Sequence, residues 1–111
     1  MKKNEIVRSS ILFNQIIQEG KKESHKNYII YFLKSEEEKP RFGIAVGKKL
    51  GNAVVRNKIK RQLRNIIDKN KLLFQKSYNY IIMVRKEYND LKFNEKDKSL
   101  QELLGKVNNE D

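Results

Sequence analysis

The chain has 111 residues, with 25 Lys and Arg against 14 Asp and Glu, for a formal charge of +11. Such a charge suits a polyanionic partner. The absence of cysteine excludes a disulfide framework and a thiolate metal site, and no apolar run approaches the roughly 20 residues that span a bilayer. Residues 1–8 read as a polar, basic, extended or frayed arm. They lack the continuous apolar segment and small-residue cleavage site of a signal peptide, so a cytoplasmic protein is expected. Ser9 or Ser10 is placed to cap a helix carrying Leu12, Phe13, Ile16 and Ile17 on one face. Gly20 is placed to end it in a left-handed conformation. Lys21 to Lys26 reads as a short edge strand or a loop. Asn27 to Lys34 is aromatic and β-branched, hence a strand. Tyr28, Ile30 and Phe32 share one of its faces, and Ile29, Tyr31 and Leu33 the other.

After an acidic loop, Ser35 to Pro40, the stretch Arg41 to Val46 reads as the second arm of a hairpin with that strand. Gly47 and Gly51 bracket Lys48, Lys49 and Leu50, offering backbone angles other residues resist and room for a partner's backbone. A helix is expected from Asn52 or Ala53 to about Asp68–Asn70, with Val55, Ile59, Leu63, Ile66 and Ile67 on one apolar arc. Leu72, Leu73 and Phe74 are expected to extend its packing. Tyr80 to Arg85 is almost continuously apolar, as a strand buried on both faces should be. Glu87 to Lys92 reads as a loop. Asn94 is placed to cap a last helix that buries Leu100, Leu103, Leu104 and Val107. The elements predict one small α+β domain over residues 1–111 in the order α-β-β-β-α-β-α, with flexible ends at about 1–7 and 108–111.

The charge is concentrated. Between Arg41 and Ile67 there are eight basic residues and no acidic one, whereas the other 84 residues hold 17 basic and 14 acidic. On the helix, Arg56, Lys60 and Arg64 recur every four residues, with Asn57 and Arg61 beside them and the apolar arc next to them. Like charges at this spacing repel by a few tenths of a kcal/mol, and the stretch has no interspersed acid to form the usual i,i+4 pairs. An unpaired cationic face makes sense when an external anion neutralises it. Arginine adds a planar fork suited to phosphate. Composition does not separate RNA from DNA, although neither zinc ligands nor a partner helix at helix-turn-helix spacing is present. Most of the aromatic residues suit core packing, and one or two left exposed on the sheet would stack unpaired bases. Catalytic groups are not evident: His25 is the one histidine, Glu36 to Glu38 reads as a solvated loop, and GKKLGN lacks the phosphate-loop pattern.

The segment GKKLGNAVVRNKIKRQLRNI closely resembles the arginine-rich signature of the bacterial ribonuclease P protein subunit. Lys48, Lys49, Gly51 to Val54, Arg56, Asn57, Lys60, Arg61 and Arg64 carry the match. The flanking elements follow in the same order, over roughly residues 8–107. The resemblance implies a sheet of about four strands, three helices and a left-handed βαβ crossover, against the usual right-handed preference. It implies an accessory subunit of an endoribonuclease that removes 5′ leaders from precursor tRNA. The partner RNA would catalyse the hydrolysis with Mg²⁺, and the protein would contribute no catalytic residue, bound metal or cofactor of its own. Lys48, Lys49, Asn52, Arg56, Asn57, Lys60, Arg61 and Arg64 are then expected at RNA, chiefly the catalytic RNA. Phe13, Ile17, Tyr31, Ala45, Lys48 and Arg56 are expected at the leader, with Ile17 standing where relatives often carry a second aromatic. The free protein is expected to be a monomer without membrane contact. Another structured-RNA-binding protein, a stand-alone nuclease and a protein of anionic membrane surfaces are the competing readings. If about five cations meet phosphates, log affinity for RNA falls against log salt with a slope of roughly −3.5 to −4.5. A titration at several salt concentrations measures this.

Overall fold

The computed structural model describes residues 1–109. Helix α1 (Ser10–Glu19) is followed by strands β1 (Lys21–His25), β2 (Tyr28–Lys34) and β3 (Arg41–Val46). Helix α2 (Ala53–Lys69), strand β4 (Tyr78–Val84) and helix α3 (Phe93–Asn109) complete the chain. Short 3-10 turns at Lys3–Glu5, Lys48–Leu50, Lys71–Leu73 and Lys86–Asp90 join them. The element order is the expected one, and the polar stretch after α1 is a strand.

The four strands lie in the order β1-β2-β4-β3. The expected pairing of β2 with β3 does not form. β2 pairs antiparallel with β1 and β4, and β3 runs parallel to β4 on its other side. The physical reason lies in β4, whose Asn79 to Ile82 and Val84 are buried. A strand apolar on both faces belongs inside the sheet, so it separates β2 from β3, and α2 makes the crossover between the parallel pair. The real hairpin is β1–β2, closed by Lys26 and Asn27, with Lys26 at φ +51°. That turn contains neither glycine nor an Asn-Gly pair, the usual sequence signals.

Each sheet face has its own core. Tyr28, Ile30, Phe32, Phe42, Tyr80, Ile82 and Val84 face the apolar arcs of α2 (Ile59, Leu63, Ile66, Ile67) and α3 (Leu100, Leu103, Leu104, Val107). On the other face α1 buries only Ile16, with Ile81 and Val7; Leu12, Phe13, Ile17, Tyr31, Leu33 and Met83 pack around them half-exposed. One face is sealed and the other is partly open.

Several local expectations change. Gly20 is extended, at φ −77° and ψ 165°, not left-handed. It is required for closeness: a Cβ there would lie 2.4 Å from the Ile16 carbonyl oxygen and 2.8 Å from that of Phe32. The N-terminal arm is docked, not frayed. Ile6 bridges to Phe42, and the Val7 N–H donates to the Phe42 carbonyl at 2.9 Å. Leu72 and Leu73 are exposed, and only Phe74 joins the core, its ring centroid 4.8 Å from that of Phe42. Asn94 lies inside α3, not at its cap, and Glu95 accepts the Lys92 N–H at 3.0 Å. α3 runs through Asn108 and Asn109; the last two positions assigned to the tail lie outside the described residues.

α2 and α3 are tied by buried Asp97. Its carboxylate accepts from Lys69 Nζ at 2.8 Å, Asn70 Nδ2 at 2.7 Å and Gln101 Nε2 at 3.3 Å. Burial alone would raise its pKa, but these donors outweigh burial and hold the group below the usual carboxylate value. A depressed folded pKa contributes stability above the unfolded value of about 4, and that contribution is lost as pH falls through the folded value. Asp97→Ala is expected to cost about 1–3 kcal/mol at pH 7, because Asn70 Nδ2 is buried beside the lost acceptor. The difference from the unsubstituted protein should narrow below about pH 4. Denaturant unfolding across pH measures both.

Candidate nucleic-acid interface

α2 starts where the sequence places it. Asn52 Oδ1 accepts the Val55 N–H at 3.0 Å and caps the first turn. No acid occupies that turn, so the positive end of the helix dipole adds to the charge of Lys48 and Lys49. Of the two bracketing glycines only Gly51 needs its freedom, at φ +143°.

The buried arc fixes which way the basic residues face. Ile59, Leu63, Ile66 and Ile67 hold one side of α2 in the core; Asn57, Lys58, Arg61 and Arg64 are exposed, and Arg56 and Lys60 are half-buried. Among the described residues, none of Lys48, Lys49, Arg56, Lys58, Lys60, Arg61 and Arg64 forms an ion pair. The carboxylates that do pair are engaged elsewhere: Glu5 and Asp68 with Lys71, Asp97 with Lys69, and Glu102 with His25. Arg41, counted with the basic stretch, belongs apart from it. Its guanidinium makes a two-pronged contact with Glu37 at 2.9 and 3.0 Å. Arg56 Nε is shielded from solvent and has no hydrogen-bond partner among the described residues.

The half-open sheet face forms a cleft beside α1. Register places Tyr31, Ile81 and Gly43 in one row, and Ile29, Met83 and Ala45 in the next. Phe13 lies over Gly43, where a Cβ would sit 3.1 Å from its Cε2 and 2.5 Å from Ile81 Cδ1. Phe13, Ile17, Tyr31 and Ala45 are all half-buried, so each has a partly accessible side chain on or beside this face. Phe13 also borders a small pocket of about 140 Å³ at the outer edge of β3, shared with Lys60 and Arg64. The aromatic cleft and the cationic helix are thus contiguous.

This architecture and the signature together find clear counterparts. A model of the family Ribonuclease P matches residues 1–108. The chain belongs to the ribonuclease P protein family. A protein of Mesoplasma florum named Ribonuclease P protein component is 42% identical over 107 residues, covering 94% of this chain and 96% of the relative. The structure of Staphylococcus aureus RNase P protein superposes with a TM-score of 0.85 at 29% identity, covering 93% of this chain and 94% of that one. The RNase P protein from Thermotoga maritima gives 0.82 at 32% identity, covering 90% and 94%. Three helices around a four-stranded mixed sheet are therefore the shape of this family.

Against the ribonuclease P signature, the structure gathers Lys60, Arg61 and Arg64 on one helix face and sets Lys48, Lys49 and Asn52 at its start. Asn52 has a second task, since its side-chain oxygen is spent on the cap. Phe13, Ile17, Tyr31 and Ala45 meet at the cleft, whereas Lys48 and Arg56 stand beyond the end of β3. Two cleft residues escaped the sequence reading. Met83 was legible from alternation along β4. Lys22, whose Nζ lies 5.8 Å from the Tyr31 ring centroid, was not, because it needs the β1–β2 register. Arg61→Ala or Arg64→Ala is expected to keep unfolding stability within about 0.5 kcal/mol, as for exposed positions. Each should weaken RNA binding and reduce the salt slope by about 1. Thermal melts beside salt titrations check both.

Proposed function

We propose that this chain is the protein component of a bacterial ribonuclease P ribonucleoprotein, acting in the cytoplasm on the 5′ leader of precursor tRNA. The observation that supports it most is the junction of two surfaces. A helix face of unpaired cations suits the phosphates of a folded RNA, and a half-covered aromatic cleft suits unpaired bases. Lys48, Lys49, Asn52, Arg56, Asn57, Lys60, Arg61 and Arg64 serve the first. Phe13, Ile17, Tyr31 and Ala45 serve the second, with Lys48 and Arg56 at its end.

On this reading the partner RNA, with its Mg²⁺, carries out phosphodiester hydrolysis, and the protein supplies charge and grip. The cations screen repulsion between two RNAs. Holding the substrate raises the apparent affinity for metal ions by linkage. The free protein is a monomer.

The deciding experiment is precursor-tRNA cleavage at low Mg²⁺ with a bacterial ribonuclease P RNA, with and without this protein. Stimulation with a correct mature 5′ end is expected. Cleavage by the protein alone would overturn the assignment of roles, and tight RNA binding without stimulation would favour another structured-RNA-binding function. Within the complex, Tyr31→Ala should weaken leader-bearing precursor by about 1–3 kcal/mol, the size of one base stacked on an aromatic ring, and leave mature tRNA unchanged. Parallel affinity measurements on the two RNAs check this.

A further inference from the structure

Two lysines outside the ribonuclease P signature meet where α2 passes the start of α3. Lys58 is exposed and lies one turn before Gln62 on α2. Gln62 is in turn the contact of Lys96 on α3. Lys96 Nζ donates to Gln62 Oε1 at 3.3 Å and stands 4.2 Å from the centroid of the Tyr88 ring. Tyr88 is fully buried and fixed from two sides. Its hydroxyl donates to the same Gln62 oxygen at 3.1 Å, and its ring meets that of Tyr28 edge-on, with centroids 5.8 Å apart. The Tyr28 hydroxyl donates to the Lys96 carbonyl at 3.0 Å. Lys96 itself is only 9% exposed.

An ammonium so well covered ordinarily has a carboxylate partner. Among the described residues, neither Lys96 nor Lys58 forms an ion pair. The acids next to Lys96 in the chain are engaged: Glu95 accepts the Lys92 N–H, and Asp97 is held by Lys69, Asn70 and Gln101. Of the three N–H bonds on Nζ, one goes to Gln62 and one is served by the Tyr88 ring, which leaves the third without an acceptor among the described residues. Burial, followed by the charge of Lys58, holds the Lys96 amine below the usual lysine pKa. A folded pKa below the unfolded one means that this charge opposes folding throughout the neutral range. A methionine of similar length would cover the Tyr88 ring without that opposition. The free fold therefore does not call for a cation at this position.

We propose that Lys58 and Lys96 form a phosphate site at the junction of α2 and α3, filled by one backbone phosphate of the catalytic RNA. Lys58 meets the phosphate from the solvent side, and Lys96 offers its third N–H from between the helices. An anion there cancels the repulsion between the two ammonium groups and gives Lys96 the partner that the fold withholds. α2 and α3 both cover the sealed face of the sheet, whereas the aromatic cleft lies on the other face beside α1. The site is therefore across the sheet from the leader cleft and belongs to the folded RNA, whose contact surface it extends from α2 onto the last helix. The identity of the partner rests on the ribonucleoprotein reading above.

The test measures the affinity of the full chain for a bacterial ribonuclease P RNA at several salt concentrations, beside thermal melts. Lys96→Met leaves the Gln62 oxygen bonded to the Tyr88 hydroxyl and should melt at or above the temperature of the unsubstituted protein. It should nonetheless weaken RNA binding about tenfold, the size of one lost charged hydrogen bond, and reduce the salt slope by about 1. Lys58→Ala, at an exposed position, should do the same to binding. The double variant should lose little more than either, because both cations meet one phosphate. Lys98→Ala, which removes equal charge from an exposed position on α3, should change neither quantity. In the assembled complex, the preference for leader-bearing precursor over mature tRNA should stay as it is in every variant. A lower melting temperature for Lys96→Met with unchanged RNA affinity and slope would assign the ammonium to the fold and overturn the site. Losses that add in full would overturn it as well, by separating the two contacts, and so would a changed preference for precursor, by moving them to the leader. If the unsubstituted protein bound this RNA no better than an unrelated one, the ribonucleoprotein reading would itself have failed, and the partner assigned here with it.

Discussion

Strand β4 carries apolar side chains on both faces, and water has to be excluded from both. Tyr80, Ile82 and Val84 obtain full cover from α2 and α3, two helices with wide apolar arcs. Ile81 and Met83 have only α1, ten residues long, with Ile16 as its single buried residue. Burial of a large aliphatic side chain stabilises by about 1.5–3 kcal/mol, so the sealed face dominates stability. The other face is held by fewer contacts and leaves Tyr31, Met83 and Ala45 partly uncovered. The cleft is what remains when a two-faced strand is covered by two helices on one side and a short one on the other.

Charge is arranged around this asymmetry. Acidic groups sit at seams, where they join elements: Asp68 and Glu5 share Lys71, linking the end of α2 to the N-terminal arm. Asp97 joins α2 to α3, and Glu37 closes the loop before β3 through Arg41. Among the described residues, none pairs with the α2 cations from Arg56 to Arg64. Within about 8–10 Å, a Debye length at ordinary salt, those cations repel one another. The helix cannot turn them away, because its opposite arc is locked into the larger core. The surface is thus pre-ordered for an anion before any arrives, which lowers the conformational cost of binding.

What could be read from the sequence follows from the range of the interaction involved. α2, its Asn52 cap and the two-faced burial of β4 were legible because periodicity and capping act within a few residues. The partner of β3 was not. Adjacent strands separated by a short acidic loop suggest a hairpin, and only competition for the centre of the sheet shows that β4 displaces β2 from β3. The docked arm rests on the Ile6–Phe42 bridge, buried Val7 and the ion pairs of Met1 with Asp68 and of Glu5 with Lys71, with no repeat to reveal them. Gly20 looked like a helix stop and proved to be a close-approach glycine, a distinction set by Phe32 twelve residues away. Of the site, the cations were legible as a cluster, while the pairing of Arg41 with Glu37 required coordinates.

The same asymmetry accounts for why a nucleic acid fits this surface better than a protein helix would. A helix laid on the open face would cover apolar groups but leave the neighbouring cations unneutralised. On the proposed reading, single-stranded RNA brings both kinds of surface in one chain: apolar base faces toward Tyr31, Met83 and Phe13, and phosphates toward Lys48, Arg56 and the α2 face. The edge of β3 is where these demands meet, since Phe13 of the lesser core and Lys60 and Arg64 of the larger core's helix border one pocket there. On the proposed reading, the strand takes the place of the layer that α1 is too short to provide. Affinity then comes from completing the fold's uncovered face, and no separate binding element is needed.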